Sequence, residues 1–340
     1  MARLLRLIQK ATVLLFSFAL LYLAYCSLSD YNNIETYEIR YNQSCRADSA
    51  LFHAADFVIC IEKPHIFFVE TSSSTVLTPR QACAVESTAR HNPDSPVAVL
   101  MTPSESIDTS HLLSKTLQNI PNIHLIKINI ADLTQGTPIQ KWYLLGQWKK
   151  SKWKFSHLSD ALRYFLMWKY GGVYLDLDIV TLRSLQKLKN TVITENWDRV
   201  AAGLLFFDKG HELMKRCMHD FAANYDYSNF VMNGPGIITK HIKFLCDTEK
   251  ISKVSGANCK VDIQPPESAF PIPYDEWEAY FIPSTVTDVT KHFNSSYLIH
   301  VWNKYSQHSK LMIGLNSLYE LAMKEHCPSV YKYAQTIGRI

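Results

Sequence analysis

The stretch that most constrains this chain runs from Leu158 to Leu182, L-S-D-A-L-R-Y-F-L-M-W-K-Y-G-G-V-Y-L-D-L-D-I-V-T-L. Leu162, Phe165 and Leu166 recur at the three-and-four spacing of an amphipathic helix, and Ser159 is placed to cap it. Gly171-Gly172 ends that helix, because glycine accepts the left-handed backbone favoured at a helix C-terminus. Val173, Tyr174 and Leu175 are strand formers, and the period of two then points Asp176 and Asp178 to one side. Two carboxylates so placed repel each other unless a cation lies between them. Oxygen ligands of this kind suit Mn²⁺ or Mg²⁺. The competing reading is that acids at a strand end merely cap the next turn.

The rest of the chain reads as strands alternating with helices. Ile66–Glu70, Val97–Met101, Ile123–Ile128, Ala201–Phe207 and Tyr297–Trp302 are expected strands. Helices are expected from Thr78-Pro79 to about Arg90, near His111–Gln118, and over Glu212–Asn224 and Ile237–Leu245. Asn229–Gly236 reads as a loop and Pro265–Pro273 as irregular chain. Such alternation predicts an α/β fold with a mostly parallel central sheet, and ligands bind beyond the carboxyl ends of its strands.

The N-terminus sets the compartment. Ala11–Leu28 is uncharged and apolar, with Arg3, Arg6 and Lys10 before it and Asp30, Glu35 and Glu38 after it. It reads as an uncleaved transmembrane signal-anchor with a cytosolic N-terminus, being longer than the apolar core of a signal peptide. The expected organisation is a cytosolic tail (1–10), the anchor (11–28), a stem (29–60) and one luminal catalytic domain (61–340). The sequons at Asn42 and Asn294 agree with a luminal domain. Seven cysteines follow Cys26, and three disulfides with one free thiol suit an oxidising lumen. A net charge of only +4 with no basic stripe excludes nucleic acid as the expected partner.

A second strand end carries His300 and Lys304, in His300-Val301-Trp302-Asn303-Lys304. Two acids and an imidazole can hold a divalent cation, and a lysine nearby can pair with a phosphate oxygen. Together they fit a metal–diphosphate site for a nucleotide-sugar donor. Equally, His300 could be a packed strand histidine and Lys304 a solvated charge.

The Leu158–Asp178 block resembles the signature of glycosyltransferase family 32. Phe67–Ser72, Cys83–Ser87 and His300–Lys304 resemble that family's eukaryotic α1,4-glycosyltransferase branch. The resemblance runs from about Ile66 to Cys327. It implies a GT-A fold in a Golgi membrane protein of type II topology. It also implies UDP-sugar donors (UDP-Gal, UDP-GalNAc or UDP-GlcNAc), Mn²⁺ with Mg²⁺ as the alternative, and retention of the α configuration. On this sequence it makes Asp176, Asp178 and His300 the metal ligands, with Asp178 bridging cation and diphosphate as a catalytic group. Asp160 and Arg163 would hold the donor sugar and Lys304 the diphosphate. Asn233 stands where relatives often carry glutamine, an amide facing the anomeric carbon. Leu177 replaces a common threonine and is expected to point away from the metal. The acceptor would be a terminal sugar of a glycolipid, or alternatively of a glycoprotein glycan. Trp142, Tyr143, Trp148 and Trp153 suit a glycolipid if they are at the surface. Two readings of another class stand beside it. Leu175–Thr181 also resembles the first motif of haloacid-dehalogenase phosphatases, and a luminal sugar-binding protein without turnover would need the same contacts.

Overall fold

Thr78 opens the first helix as the sequence requires. Its hydroxyl accepts from the Gln81 N–H, the Gln81 side chain accepts from the Thr78 N–H, and Pro79 occupies the first turn. The computed structural model describes residues 65–254, 259–309 and 312–340. The expected anchor, stem, Asn42, Cys45 and Cys60 lie outside the described residues. Among the described residues no helix is long and apolar enough to cross a membrane.

The strands are β1 (Ile66–Glu70), β2 (Val97–Met101), β3 (Ile123–Lys127), β4 (Gly172–Leu175), β5 (Ile179–Thr181), β6 (Thr191–Asn196), β7 (Arg199–Phe207), β8 (Asp262–Gln264) and β9 (Leu298–His300). Seven of them make one sheet in the order β3-β2-β1-β4-β7-β6-β8, while β5 and β9 pair separately. The β1–β2, β2–β3, β1–β4 and β6–β8 pairings are parallel, and β7 runs antiparallel to both of its neighbours. The fold is therefore α/β with a mostly parallel sheet, as expected. The strand order reverses between β1 and β4. In an open α/β sheet the crevice beyond that point is where ligands collect.

Helices α1 (Pro79–His91), α2 (Leu112–Gln118), α3 (Pro138–Leu145), α4 (Lys154–Lys169), α5 (Glu212–Asn224), α6 (Ile237–Leu245), α7 (Leu318–His326) and α8 (Pro328–Ile337) cover the sheet. They fall into two groups: α1, α2, α7 and α8 pack together, and so do α3 to α6. Phe68 and Val99 join the core of the first group, while the Phe67 ring meets Tyr170 at the end of α4. Alternate strand residues thus serve the two faces.

Gly171 and Gly172 hold positive φ of 69° and 96°. A Cβ on Gly172 would lie 2.3 Å from the His65 carbonyl oxygen, so the turn into β4 admits no side chain. Cys83–Cys327 ties α1 to the junction of α7 and α8, and Cys246–Cys259 closes a short loop. Cys217 is the free thiol among the described residues, and it is buried. The exposed side chain of Asn294 is open to solvent.

Two local expectations are corrected. Helix α4 begins at Lys154, not beside Ser159, whose hydroxyl lies inside the helix and bonds Tyr174 instead of capping. The chain turns after β9 at Trp302, with φ 55°. Trp142 is a core residue, 3% exposed, edge-on to Phe221 and Tyr225. The sequence reading also passed over β6, α3, α7 and α8.

Candidate active site

Asp176 follows β4 and is fixed from its own backbone, its N–H donating to the Gly203 carbonyl at 2.7 Å. Two residues on, the Asp178 carbonyl accepts from the Val301 N–H, and Asp178 Oδ2 accepts from the Asn303 N–H at 2.8 Å. Pairing of β5 with β9 puts Ile179 opposite His300 and brings the late strand to the acids. His300 Nε2 lies 3.4 Å from Asp178 Oδ1. One ligand atom each of Asp176, Asp178 and His300 falls within 4.8 Å of the others. Leu177 packs against the core, so alternation separates it from the two acids.

Helix α4 lays a second set of groups against Asp176. Arg163 Nη1 meets Asp160 Oδ1 at 3.1 Å and Nη2 meets Asp176 Oδ1 at 3.0 Å. Nη2 also donates to Ser159 Oγ, the Ser159 and Tyr174 hydroxyls lie 2.6 Å apart, and the Tyr174 O–H donates to Asp176 Oδ1 at 2.7 Å. The protons therefore run one way, from Arg163 through Ser159 and Tyr174 to the carboxylate. Asp160 and Arg163 are each 5% exposed. Burial pushes the Asp160 carboxyl up to about 6, with Asp176 adding to the rise and Arg163 opposing it. Burial also raises Asp176, with the charge of Asp178 behind it, against the pull of Arg163. For Arg163, burial opposes the charge, but Asp176, Tyr174 and Asp160 outweigh it and hold the guanidinium protonated.

Two glycines make room for these acids. A Cβ on Gly203 would lie 2.6 Å from Asp176 Oδ2, and one on Gly234 would lie 2.7 Å from Asp160 Oδ1. Neither glycine was singled out in the sequence for this, because the contact is between residues distant along the chain. Glu70 was likewise given no role. It ends β1 at the reversal of strand order, is 4% exposed, and leaves Oε2 without a hydrogen-bond partner. Arg163 Nε is another buried polar atom so left. Such buried groups are ones that a water or a bound molecule can satisfy.

The donor set fits a divalent cation: two carboxylates close enough that the charge of Asp178 raises the proton affinity of Asp176, and an imidazole beside them. His300 Nδ1 accepts from the Trp302 N–H at 3.1 Å, which leaves the ring proton on Nε2. For Nε2 to take a cation, that proton moves to Nδ1 and the Trp302 bond is given up.

Two expected site residues are placed differently. The Asn233 amide is 1% exposed and committed to its own loop: Oδ1 accepts from the Asp226 N–H, and Nδ2 donates to the Asp226 and Asn229 carbonyls. Its contact with the site is through the neighbouring Gly234. The Lys304 ammonium rests 3.8 Å from the centre of the Phe230 ring, and burial lowers its proton affinity.

With this geometry in hand, comparison with known proteins is direct. Residues 78–197 match the glycosyltransferase sugar-binding region containing the DXD motif, and residues 206–334 match the alpha 1,4-glycosyltransferase conserved region. The sheet and the paired acids are thus those of a DXD-type glycosyltransferase. Lactosylceramide 4-alpha-galactosyltransferase of Mus musculus is 34% identical over 79% of this chain and 75% of its own length. The Homo sapiens protein of that name is 33% identical, over 79% and 76%. Alpha-1,4-N-acetylglucosaminyltransferase of Homo sapiens is 31% identical, over 78% and 79%. The chain belongs to the α1,4-glycosyltransferase family.

Proposed function

We propose that this chain transfers a galactose-type or N-acetylhexosamine sugar from a UDP-sugar, in α1,4 linkage, to the terminal sugar of a glycosphingolipid. The observation that carries the reading is the meeting of Asp176, Asp178 and His300 beside the buried Asp160–Arg163 pair. The names of the relatives support it, since one group is named for lactosylceramide and galactose and the other for N-acetylglucosamine.

In this reading Asp176, Asp178 and His300 hold Mn²⁺ or Mg²⁺, which supplies Lewis-acid stabilisation of the departing diphosphate. Arg163, fixed by Asp160 and Asp176, orients the donor sugar and so lowers the entropic part of the barrier. Lys304 leaves the Phe230 face to pair with phosphate oxygens. Glu70 accepts from the donor at the end of β1. Asn233 keeps the 226–236 loop, and with it Gly234, against Asp160. Retention is what the family resemblance implies, and with no carboxylate nominated as a covalent nucleophile the path taken is front-face: the acceptor hydroxyl attacks on the face that UDP leaves and passes its proton to the departing phosphate oxygen. The fold type is GT-A, the topology type II, and the compartment the Golgi membrane.

The test is UDP release by the full-length chain with Mn²⁺, across UDP-Gal, UDP-GalNAc and UDP-GlcNAc, with and without lactosylceramide and a glycan array. Acceptor-dependent release with an α1,4-linked product is expected. Phosphate release without sugar transfer would point to a phosphatase, and binding without release to a sugar-binding protein.

A further inference from the structure

Lys304 stands on a single helical turn, Asn303–Ser306, which leaves β9 through the left-handed Trp302. Asn303, Lys304, Tyr305, Gln307 and His308 are all exposed, so little packing fixes this turn. Polar anchors hold it instead, one at each end. At its start the Asn303 N–H donates to Asp178 Oδ2. Its end is taken by Arg80, from the first turn of α1. Arg80 Nη1 donates to the Ser306 carbonyl at 2.8 Å and to Ser306 Oγ at 3.3 Å, and Nη2 donates to the Ser309 carbonyl. The Ser306 hydroxyl donates in turn to the Val301 carbonyl at 2.8 Å, and the Val301 N–H to the Asp178 carbonyl. The guanidinium carbon lies 4.8 Å from the centre of the Phe281 ring and 6.0 Å from that of Tyr319. Arg80 is buried, 9% exposed. Only a planar fork can bond two carbonyls while facing two rings; an ammonium cannot.

We infer that Arg80 is a positioning residue for the donor: through Ser306 and Ser309 it sets where Lys304 meets the diphosphate. The inference rests on the proposed contact of Lys304 with that diphosphate. A buried cation is costly, and a core that needed only to fill this space would do so with an apolar side chain. Burial lowers the proton affinity of Arg80, while the charges of Tyr319 and Asp178 oppose that. An acid of the site thus helps to hold the cation that fixes the turn. Lys304 lies between the two anchors, one residue after Asn303 and two before Ser306. Its side chain has to leave the Phe230 ring to reach phosphate, and a fixed backbone limits where it can go. Without Arg80 the turn keeps only the anchor at Asp178. Ordering Lys304 then becomes a cost of binding the donor.

The affinity of the full-length chain for UDP with Mn²⁺ is measured by titration calorimetry, for Arg80→Met, Lys304→Met and the two together, beside thermal melts. Lys304→Met is expected to weaken UDP roughly tenfold or more, the worth of one charge-assisted hydrogen bond. Arg80→Met should weaken it by a comparable factor. With Lys304 already replaced, Arg80→Met should change UDP affinity by less than about twofold, because it acts through that lysine. An arginine that only staples the core lowers the melting temperature instead. It leaves UDP affinity alone, or multiplies its loss with that of Lys304→Met, and either result overturns the inference. Should Arg80→Met fail to fold, Arg80→Lys takes its place: it keeps the charge but cannot span both carbonyls, and the same non-additivity is expected at smaller size. Lys304→Met with unchanged UDP affinity removes the diphosphate contact and the inference with it. A loss at Lys304 with none at Arg80 removes the inference alone.

Discussion

No side chain fits between Gly203 and Asp176, because a Cβ at position 203 would stand 2.6 Å from Oδ2 of the acid. The carboxylate cannot simply swing aside, since Arg163 and Tyr174 hold its other oxygen. Gly203→Ala is therefore expected to displace the acid and to raise the Mn²⁺ concentration for half-maximal rate, with kcat/KM down at least ~10-fold. Melting should fall as well, because the displaced acid loosens its bonds to Arg163 and Tyr174, so the metal dependence is the deciding readout. A manganese titration beside a thermal melt checks this; unchanged metal dependence means the acid does not serve a cation.

Tyr174→Phe keeps the ring over Arg163 but deletes the hydroxyl between Ser159 and Asp176. Leaving a buried partner unsatisfied costs about 1–3 kcal/mol. Lower stability is expected, together with an altered pH profile of kcat/KM, because Asp176 loses a donor that favours its ionised form. A drop in melting temperature with an unmoved pH profile would make Tyr174 a packing residue only.

His300→Ala should shift the manganese titration to higher concentration while leaving much of the rate at saturating metal. Removing the metal with a chelator should abolish turnover in the unsubstituted chain and spare its melting temperature more than loss of Cys83–Cys327 does. If the titration is unmoved and the melt falls sharply, the imidazole only packs against Phe270 and Trp302, whose rings it touches.

His157 predicts an acid limb of stability. It is fully buried, its Nε2 faces the Asn233 amide donor at 3.3 Å, and Nδ1 meets the Tyr225 hydroxyl at 2.8 Å. Burial pushes it down to about 4 from the ordinary 6.5. The unfolded chain thus takes up a proton in that window and the folded chain does not. The stabilisation is present above pH ~6.5 and is lost as pH falls towards 4, a difference of about 3 kcal/mol. His157→Gln should flatten the fall in melting temperature between pH 7 and 5 without removing it, since His65 and His326 are also lowered to about 4.

How much could be read in advance depended on how far each contact reaches along the chain. Thr78-Pro79 and Gly171-Gly172 act within a few residues, so their helix start and turn were legible. The two acids shared a side because alternation is local. Ser159 misled, since a serine before an apolar run signals a cap, while its actual partner, Tyr174, lies in the strand beyond the glycines. Residue types alone left His300 between a cation ligand and a packed histidine, and only the resemblance chose between them, because the pairing of β5 with β9 joins segments far apart along the chain. Gly203 and Gly234 carried no signal at all: what forbids a side chain there is a carboxylate brought in from another element. Asn233 shows the reverse, a residue whose position was legible while the commitment of its amide to Asp226 and Asn229 was not.

The chain bonds Asp178 to Asn303, 125 residues further on, and joins Cys83 to Cys327 across 244. At ~5–20 residues per second of synthesis, the acids wait roughly 6–25 s for the histidine. During that interval the early strands can pair, but they hold two carboxylates with no imidazole between them and a cysteine without its mate. A message that ends early therefore yields a sheet with no metal site. Translation past His300 and Asn303 is itself the step that brings the cluster together.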